Sequence, residues 1–147
     1  MSRFLWIAVA AGLACVSGSV TAANEPTGLR AAAERWSVHI VTQDPDGDER
    51  VTRIWLAALA GVGVIRTGDS RWWRNLERDR NCRIRVSGMD TPVRVEFVAE
   101  LEEKARIDDV FLEKYGWQER AFIWGDRGET HENYMRVHAA DPGLREN

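Results

Sequence analysis

The residues best suited to chemistry lie between positions 50 and 75, where arginines and hydroxyls recur at short intervals. Arg50, Thr52 and Arg53 fall on one strand-like stretch, and Arg66-Thr67 closes a second. Gly68-Asp69-Ser70 then supplies a turn with two candidate N-caps, and Trp72, Trp73 and Leu76 follow at helical spacing, which predicts a helix over about Ser70 to Arg80. A helix starting at Ser70 offers free backbone N–H groups and the positive end of its dipole, with Arg71 beside them; such an end suits a phosphate. Arg50, Thr52 and Arg53 add charge and a hydroxyl from the neighbouring strand. Trp55, Arg66 and Thr67 are of the types that flank a flat heteroaromatic ring, since an indole stacks on it and a hydroxyl or N–H bonds its carbonyl and nitrogen atoms. The chemistry in view is binding of a phosphorylated ligand that carries a flat heteroaromatic ring.

Each residue also has a purely architectural reading. The arginines can be solvated or paired with acids such as Asp48, Asp69 and Glu77. Trp72 and Trp73 read as core. Asn75, polar among apolar helix neighbours, either orients a ligand or bonds a nearby loop. Asp44-Pro45-Asp46-Gly47-Asp48 has something of a calcium loop, yet Pro45 interrupts it, no glutamate stands at the closing position and strands flank it, so a hairpin turn is expected. His39, His131 and His138 show no metal-ligand spacing and Cys82 is distant from all three, so no metal site and no catalytic side chain is assigned.

The elements that must position these residues are mostly strands. Trp36 to Thr42 alternates apolar and polar residues, the pattern of a half-buried strand. Val51 to Leu59 turns from alternating to wholly apolar and reads as one core strand, reversed at Gly61-Val62-Gly63 into Val64 to Thr67 as its antiparallel neighbour. Arg83 to Ser87 alternates, Met89 to Pro92 reads as a turn, and Val93 to Ala99 alternates again. Glu100 to Ala105 reads as a charged connection, Ile107 to Tyr115 as a helix stopped by Gly116, and Tyr134 to His138 as a closing strand. Trp117 to Trp124 reads as a short aromatic stretch and Gly125 to His131 as a polar loop. The expected fold is mostly β with short helices, about six antiparallel strands in one small barrel.

On Arg50-x-Thr52-x-x-Trp55, Ile65-Arg66-Thr67, the Trp72-Trp73-Arg74-Asn75-Leu76 helix and the strand Arg83 to Val86, the chain resembles the split β-barrel flavin-binding superfamily. That superfamily includes pyridoxamine-phosphate-oxidase-like and deazaflavin-dependent nitroreductase-like proteins, and the resemblance is nearest to small uncharacterised bacterial members. It covers about Trp36 to Trp117. It implies an FMN-binding split barrel, often a homodimer with its ligand at the subunit interface. It further implies FMN or a deazaflavin as cofactor, held at its phosphate by Arg50, Thr52, Arg53, Ser70 and Arg71. The implied activity is nitroreductase-like hydride transfer to a small acceptor; the alternative is a non-catalytic small-ligand-binding protein on the same barrel. The acidic stretch Asp44 to Glu49 stands where the characterised deazaflavin enzymes carry a longer basic, glycine-containing segment.

The 147 residues, 44% hydrophobic with seven tryptophans, suffice for one domain with a sizeable core. Met1-Ser2-Arg3, the apolar run Phe4 to Val16 and the small residues to Ala23 have the layout of a secretory signal peptide cleaved after Ala22 or Ala23. The expected organisation is therefore 1–23 signal peptide, 24–35 leader or short helix, 36–140 barrel and 141–147 tail, in a periplasmic or secreted protein with no membrane anchor after cleavage. No twin-arginine pair precedes the apolar run, so a cofactor would be acquired after export. Cys15 leaves with the signal and Cys82 remains alone, ruling out an internal disulfide. Seven arginines against three acids between Arg66 and Arg85, on a chain of net charge −3, point to a small anionic ligand. Nucleic acid, which wants broad positive charge and is not expected by an exported protein, is disfavoured.

Overall fold

The computed structural model describes residues 27–116, 118 and 131–140. The expected signal peptide, the stretch Trp117 to Trp124 apart from Gln118, most of the loop after it, and the tail lie outside them. In chain order the elements are α1 (Thr27–Ala33), β1 (Val38–Gln43), β2 (Glu49–Ile54), β3 (Ala57–Leu59), β4 (Val62–Thr67), α2 (Arg71–Arg78), β5 (Asn81–Val86), β6 (Met89–Val98), α3 (Leu101–Tyr115) and β7 (Asn133–Ala139). The seven strands form one antiparallel sheet in the order β2-β1-β5-β6-β7-β4-β3. No ladder joins β2 to β3, so the barrel is open along one seam.

Period-two alternation decides what lies inside. Val38, Ile40, Ile54, Ile65, Ile84, Val93, Val95, Met135 and Val137 all face one side, where Leu29 and Ala32 of α1 and Trp72 and Leu76 of α2 complete a single buried cluster. Gly63 lets α1 approach: a Cβ there would meet Val137 at 3.4 Å and the Leu29 side chain at 3.6 Å. The opposite face carries a second cluster, in which Ile107, Phe111 and Tyr115 of α3 pack on Ala57, Val64, Val98 and Tyr134. Two helices thus close the barrel interior and the third lies on its outside.

The single strand expected over Val51 to Leu59 is two. β2 pairs with β1 and β3 pairs with β4, at opposite edges of the sheet, with only Trp55 and Leu56 between them. At Leu56 a side chain stands in for a strand partner: its N–H donates to the Tyr115 hydroxyl (3.1 Å), which donates back to its carbonyl (3.0 Å). The Lys114 ammonium also donates to that carbonyl and to those of Ala33 and Arg35. The β3–β4 turn sits at Ala60-Gly61, both at positive φ (51° and 84°), rather than at Gly61 to Gly63. A matching turn at Ser87-Gly88 joins β5 to β6, so the strand after it begins at Met89 and runs through Pro92. The Val95 N–H bonds Arg80 on the β5 side, so by alternation the Pro92 nitrogen faces β7, whose ladder begins only at Val93. The proline costs no ladder bond there. α3 begins at Leu101, absorbing the stretch expected as a connection.

Candidate functional site

The start of α2 is built as its sequence requires. The Ser70 hydroxyl accepts the Trp73 N–H (3.3 Å) and a hydrogen bond from the Thr67 hydroxyl (3.2 Å), tying the helix to the end of β4. The amides of Arg71 and Trp72 precede the first helical hydrogen bond and are left to point out of the helix end. Arg71 is exposed, and among the described residues it makes no ion pair or side-chain hydrogen bond.

Below this end lies a polar cluster that the sequence reading only glimpsed. Thr42 stands at an inward position of β1, and its hydroxyl accepts from the Asn75 amide (3.0 Å), which also donates to the buried Asp44 carboxylate (2.8 Å). Arg50 grips that carboxylate through Nε and a terminal nitrogen at 2.6 to 3.1 Å. Arg78 donates to the Asn75 carbonyl oxygen (3.1 Å) and to the Gln43 carbonyl (2.7 Å). Hydrogen bonds from Arg50 and then Asn75 hold the Asp44 carboxyl well below the usual carboxylate range; partial burial opposes them and the Arg71 field assists. The cluster clamps α2 to the β1–β2 hairpin. Asn75 therefore bonds a loop, and Arg50 is engaged within the protein. Asp44 is read from the sequence only as part of a turn, and Thr42 and Arg78 are not singled out there, although a threonine at an inward, period-two position is a signal that something polar must meet it.

The remaining candidates divide by the pleat. Arg50 and Thr52 face the α2 side of β2, whereas Arg53 faces the outer side, opposite His39 of β1. Trp55 is also outward, stacked on Tyr115 with centroids 4.4 Å apart and planes 10° from parallel. Arg66 faces α3: its side chain, only 4% exposed, pairs with Asp108 and lies 4.4 Å over the Phe111 ring. The Tyr134 hydroxyl donates to the same carboxylate (3.0 Å), and burial first, then Asp108, pushes that phenol up to about 12. Thr67, one residue on, faces α2. The structure thus gathers Arg50, Thr52, Thr67, Ser70, Arg71 and Asn75 on one side of the sheet and places Arg53, Trp55 and Arg66 on the other.

Much of the basic stretch is neutralised internally. Arg74 pairs with Asp69, Arg83 with Glu49 and Asp90, Arg85 with Asp90, and Arg80 lies 4.4 Å over the Phe97 ring. Cys82 is buried, and that burial pushes its thiol up to about 12, so it is inert as a nucleophile near neutrality. Among the described residues no group of three His, Cys, Asp or Glu side chains could hold a metal. No helix among them is long and apolar enough to cross a membrane.

Several solved structures share this architecture. The conserved hypothetical protein Rv2991 of Mycobacterium tuberculosis is 18% identical, with 80% of this chain aligned to 81% of that one at a TM-score of 0.57. The heme storage protein HutZ of Vibrio cholerae is 14% identical over 78% of this chain and 87% of its own, with a TM-score of 0.57. An F420-H2 dependent reductase, FDR-A, is 13% identical over 71% and 95%, with a TM-score of 0.53. At these identities the likeness is one of fold, and the fold is the split barrel expected of the sequence. No curated protein matches the chain. A family model described as an uncharacterized protein conserved in bacteria, DUF2255, matches residues 28–132.

Proposed function

This chain belongs to the DUF2255 family of bacterial proteins, and we propose that it is an exported split-barrel protein binding a phosphorylated flavin or deazaflavin, as a nitroreductase-like oxidoreductase. The observation that carries this reading is the start of α2. There Arg71, exposed and with no ion pair among the described residues, stands beside two amides that precede the first helical hydrogen bond, while neighbouring Arg50 and Arg74 are already neutralised. Arg71, the Arg71 and Trp72 amides and the Thr52 hydroxyl would hold the phosphate. When bound, the cofactor supplies hydride chemistry, and the chain's part is grip, orientation and exclusion of water. The clamp through Asp44 and Asn75 fixes the helix that carries Arg71, making both positioning residues. FDR-A, named as an F420-H2 dependent reductase, supports the redox reading. HutZ, named as a heme storage protein, supports the alternative, a binder of a flat ligand without turnover.

The test is a visible spectrum of the mature protein recovered from its own host, followed by titration with FMN, riboflavin and a deazaflavin cofactor. Expected are binding of FMN or the deazaflavin, weaker binding of riboflavin, and loss of about tenfold in FMN affinity in Arg71→Ala, the scale of one charge-assisted contact. Absence of binding by all three sinks the reading. A bound cofactor that no reductant turns over selects the binder. The mass of the recovered chain reports the export half, expected to start at Ala23 or Asn24.

A further inference from the structure

The outer face of the sheet holds a second feature with the makings of a site. α3 packs over β3, β4, β7 and the end of β6, while the described helices that touch β1 and β5, α2 and α1, do so from the interior. On the outer side of β2, β1 and β5 the register lays three rows side by side. Arg53, His39 and Arg85 form the first, Val51, Val41 and Arg83 the second, and Glu49 with Gln43 the third. Same-face residues two apart on a strand are separated by about 6.6 Å, so the strip is about 13 Å long.

Its charges do not cancel evenly. Arg85 is held by Asp90, and Arg83 by Asp90 and Glu49. Three guanidinium groups thus meet two carboxylates, and the surplus positive charge falls on Arg53, which makes no ion pair or side-chain hydrogen bond among the described residues. His39, beside it across the strand pair, adds an N–H donor. In the second row Val51 is 48% exposed, an apolar shelf next to the charge. Beyond it the β1–β5 ladder ends at Val41 and Arg83, the strands part, and a cavity of about 260 Å³ opens, lined by Val41, Gln43, Glu49, Asn81 and Arg83 among others.

Charge, apolar shelf and polar cavity lie in line, and we propose that this strip binds an elongated phosphate monoester. The phosphate sits on Arg53 and His39, an apolar body covers Val51, and a polar far end enters the cavity between Gln43 and Asn81. The site is distinct from the start of α2, since Arg53 and Arg71 stand on opposite sides of β2.

The experiment is a ¹H–¹⁵N correlation titration of the mature protein with inorganic phosphate and with phenyl phosphate, which carries the same head on an apolar body. Saturable shifts at residues 39, 41, 51 and 53 are expected, with phenyl phosphate binding at least about threefold tighter through its buried ring. Arg53→Gln should weaken both ligands by about tenfold through loss of a charge-assisted contact, and Val51→Ser should erase the advantage of the phenyl ring. At residues 39, 41, 51 and 53 the response to both ligands should be the same in Arg71→Ala, whose effect is confined to shifts at the start of α2. Shifts that stay linear through about 20 mM, a range that still detects weak millimolar binding, or shifts indifferent to Arg53→Gln, overturn the proposal. So does loss of these shifts in Arg71→Ala. Because the probes contain no flavin, the outcome is independent of whether a redox cofactor binds at α2.

Discussion

Asn75 shows how much one buried amide can decide. Its two N–H groups and its carbonyl oxygen are all satisfied, by Thr42, Asp44 and Arg78, so replacing it with an isosteric apolar group strands polar partners. Asn75→Leu should cost about 1–3 kcal/mol in urea unfolding, the usual penalty for buried groups left unbonded. Asn75→Asp makes a sharper test because it sets a second carboxylate against Asp44. In the wild type the Asp44 carboxyl is depressed in the folded state, so its contribution is present above the ordinary aspartate range near 3.8 and is lost as pH falls further. In Asn75→Asp the two carboxyls share a proton, one is raised, and stability should instead increase as pH falls from 7 towards 5. Between pH 7 and 5 Asp44 gives the wild-type midpoint no slope, whereas the Asn75→Asp midpoint should rise as pH falls; parallel curves over that range would remove Asp44 from the clamp. The same cluster explains why Arg50 looked like a ligand in the sequence. Charge and spacing identify a cation but not whether a carboxylate six residues earlier has already claimed it.

Among the elements, alternation made most strands legible, as Val38, Ile40 and Thr42 or Val93 and Val95 show. It failed where it carries no information. From Trp55 to Leu59 every residue is apolar, and an unbroken apolar run looks the same whether it continues one strand or crosses to another. What divides β2 from β3 is the Tyr115 hydroxyl holding both polar groups of Leu56 from fifty-nine residues away, a contact no local pattern encodes. Turn positions were misplaced for a related reason. The glycine-rich Gly61 to Gly63 pointed to a reversal, but the hairpin needs two consecutive positive φ angles and takes Ala60 with Gly61. Alanine is poorly suited to φ 51°, and Ala60→Asn should stabilise the domain by about 0.5–1 kcal/mol, seen as a higher melting temperature, while Ala60→Val should lower it. An unchanged melting temperature in both would mean the hairpin adopts another turn.

At the scale of the whole molecule, the buried thiol of Cys82 offers a probe of the core. Cys82 is 8% exposed, so a thiol reagent should label it slowly in the native protein, with the rate rising along the same urea curve as tryptophan fluorescence; fast native labelling would mean the β1–β5 cleft breathes. The division of candidate residues between two faces was not legible, because it depends on which side of β2 meets α2, and the strand alone is symmetric in that respect. The two-residue link at Trp55 and Leu56 has a wider consequence. It fastens the two edge strands of an open sheet to one another within about 11 Å, three Cα–Cα steps. Unpaired strand edges are where foreign chains add and fibrils begin. Here the two edges are joined at one end through Leu56, whose backbone the Tyr115 hydroxyl and Lys114 ammonium hold, so a strand adding to either edge must fit beside a link that already occupies that end.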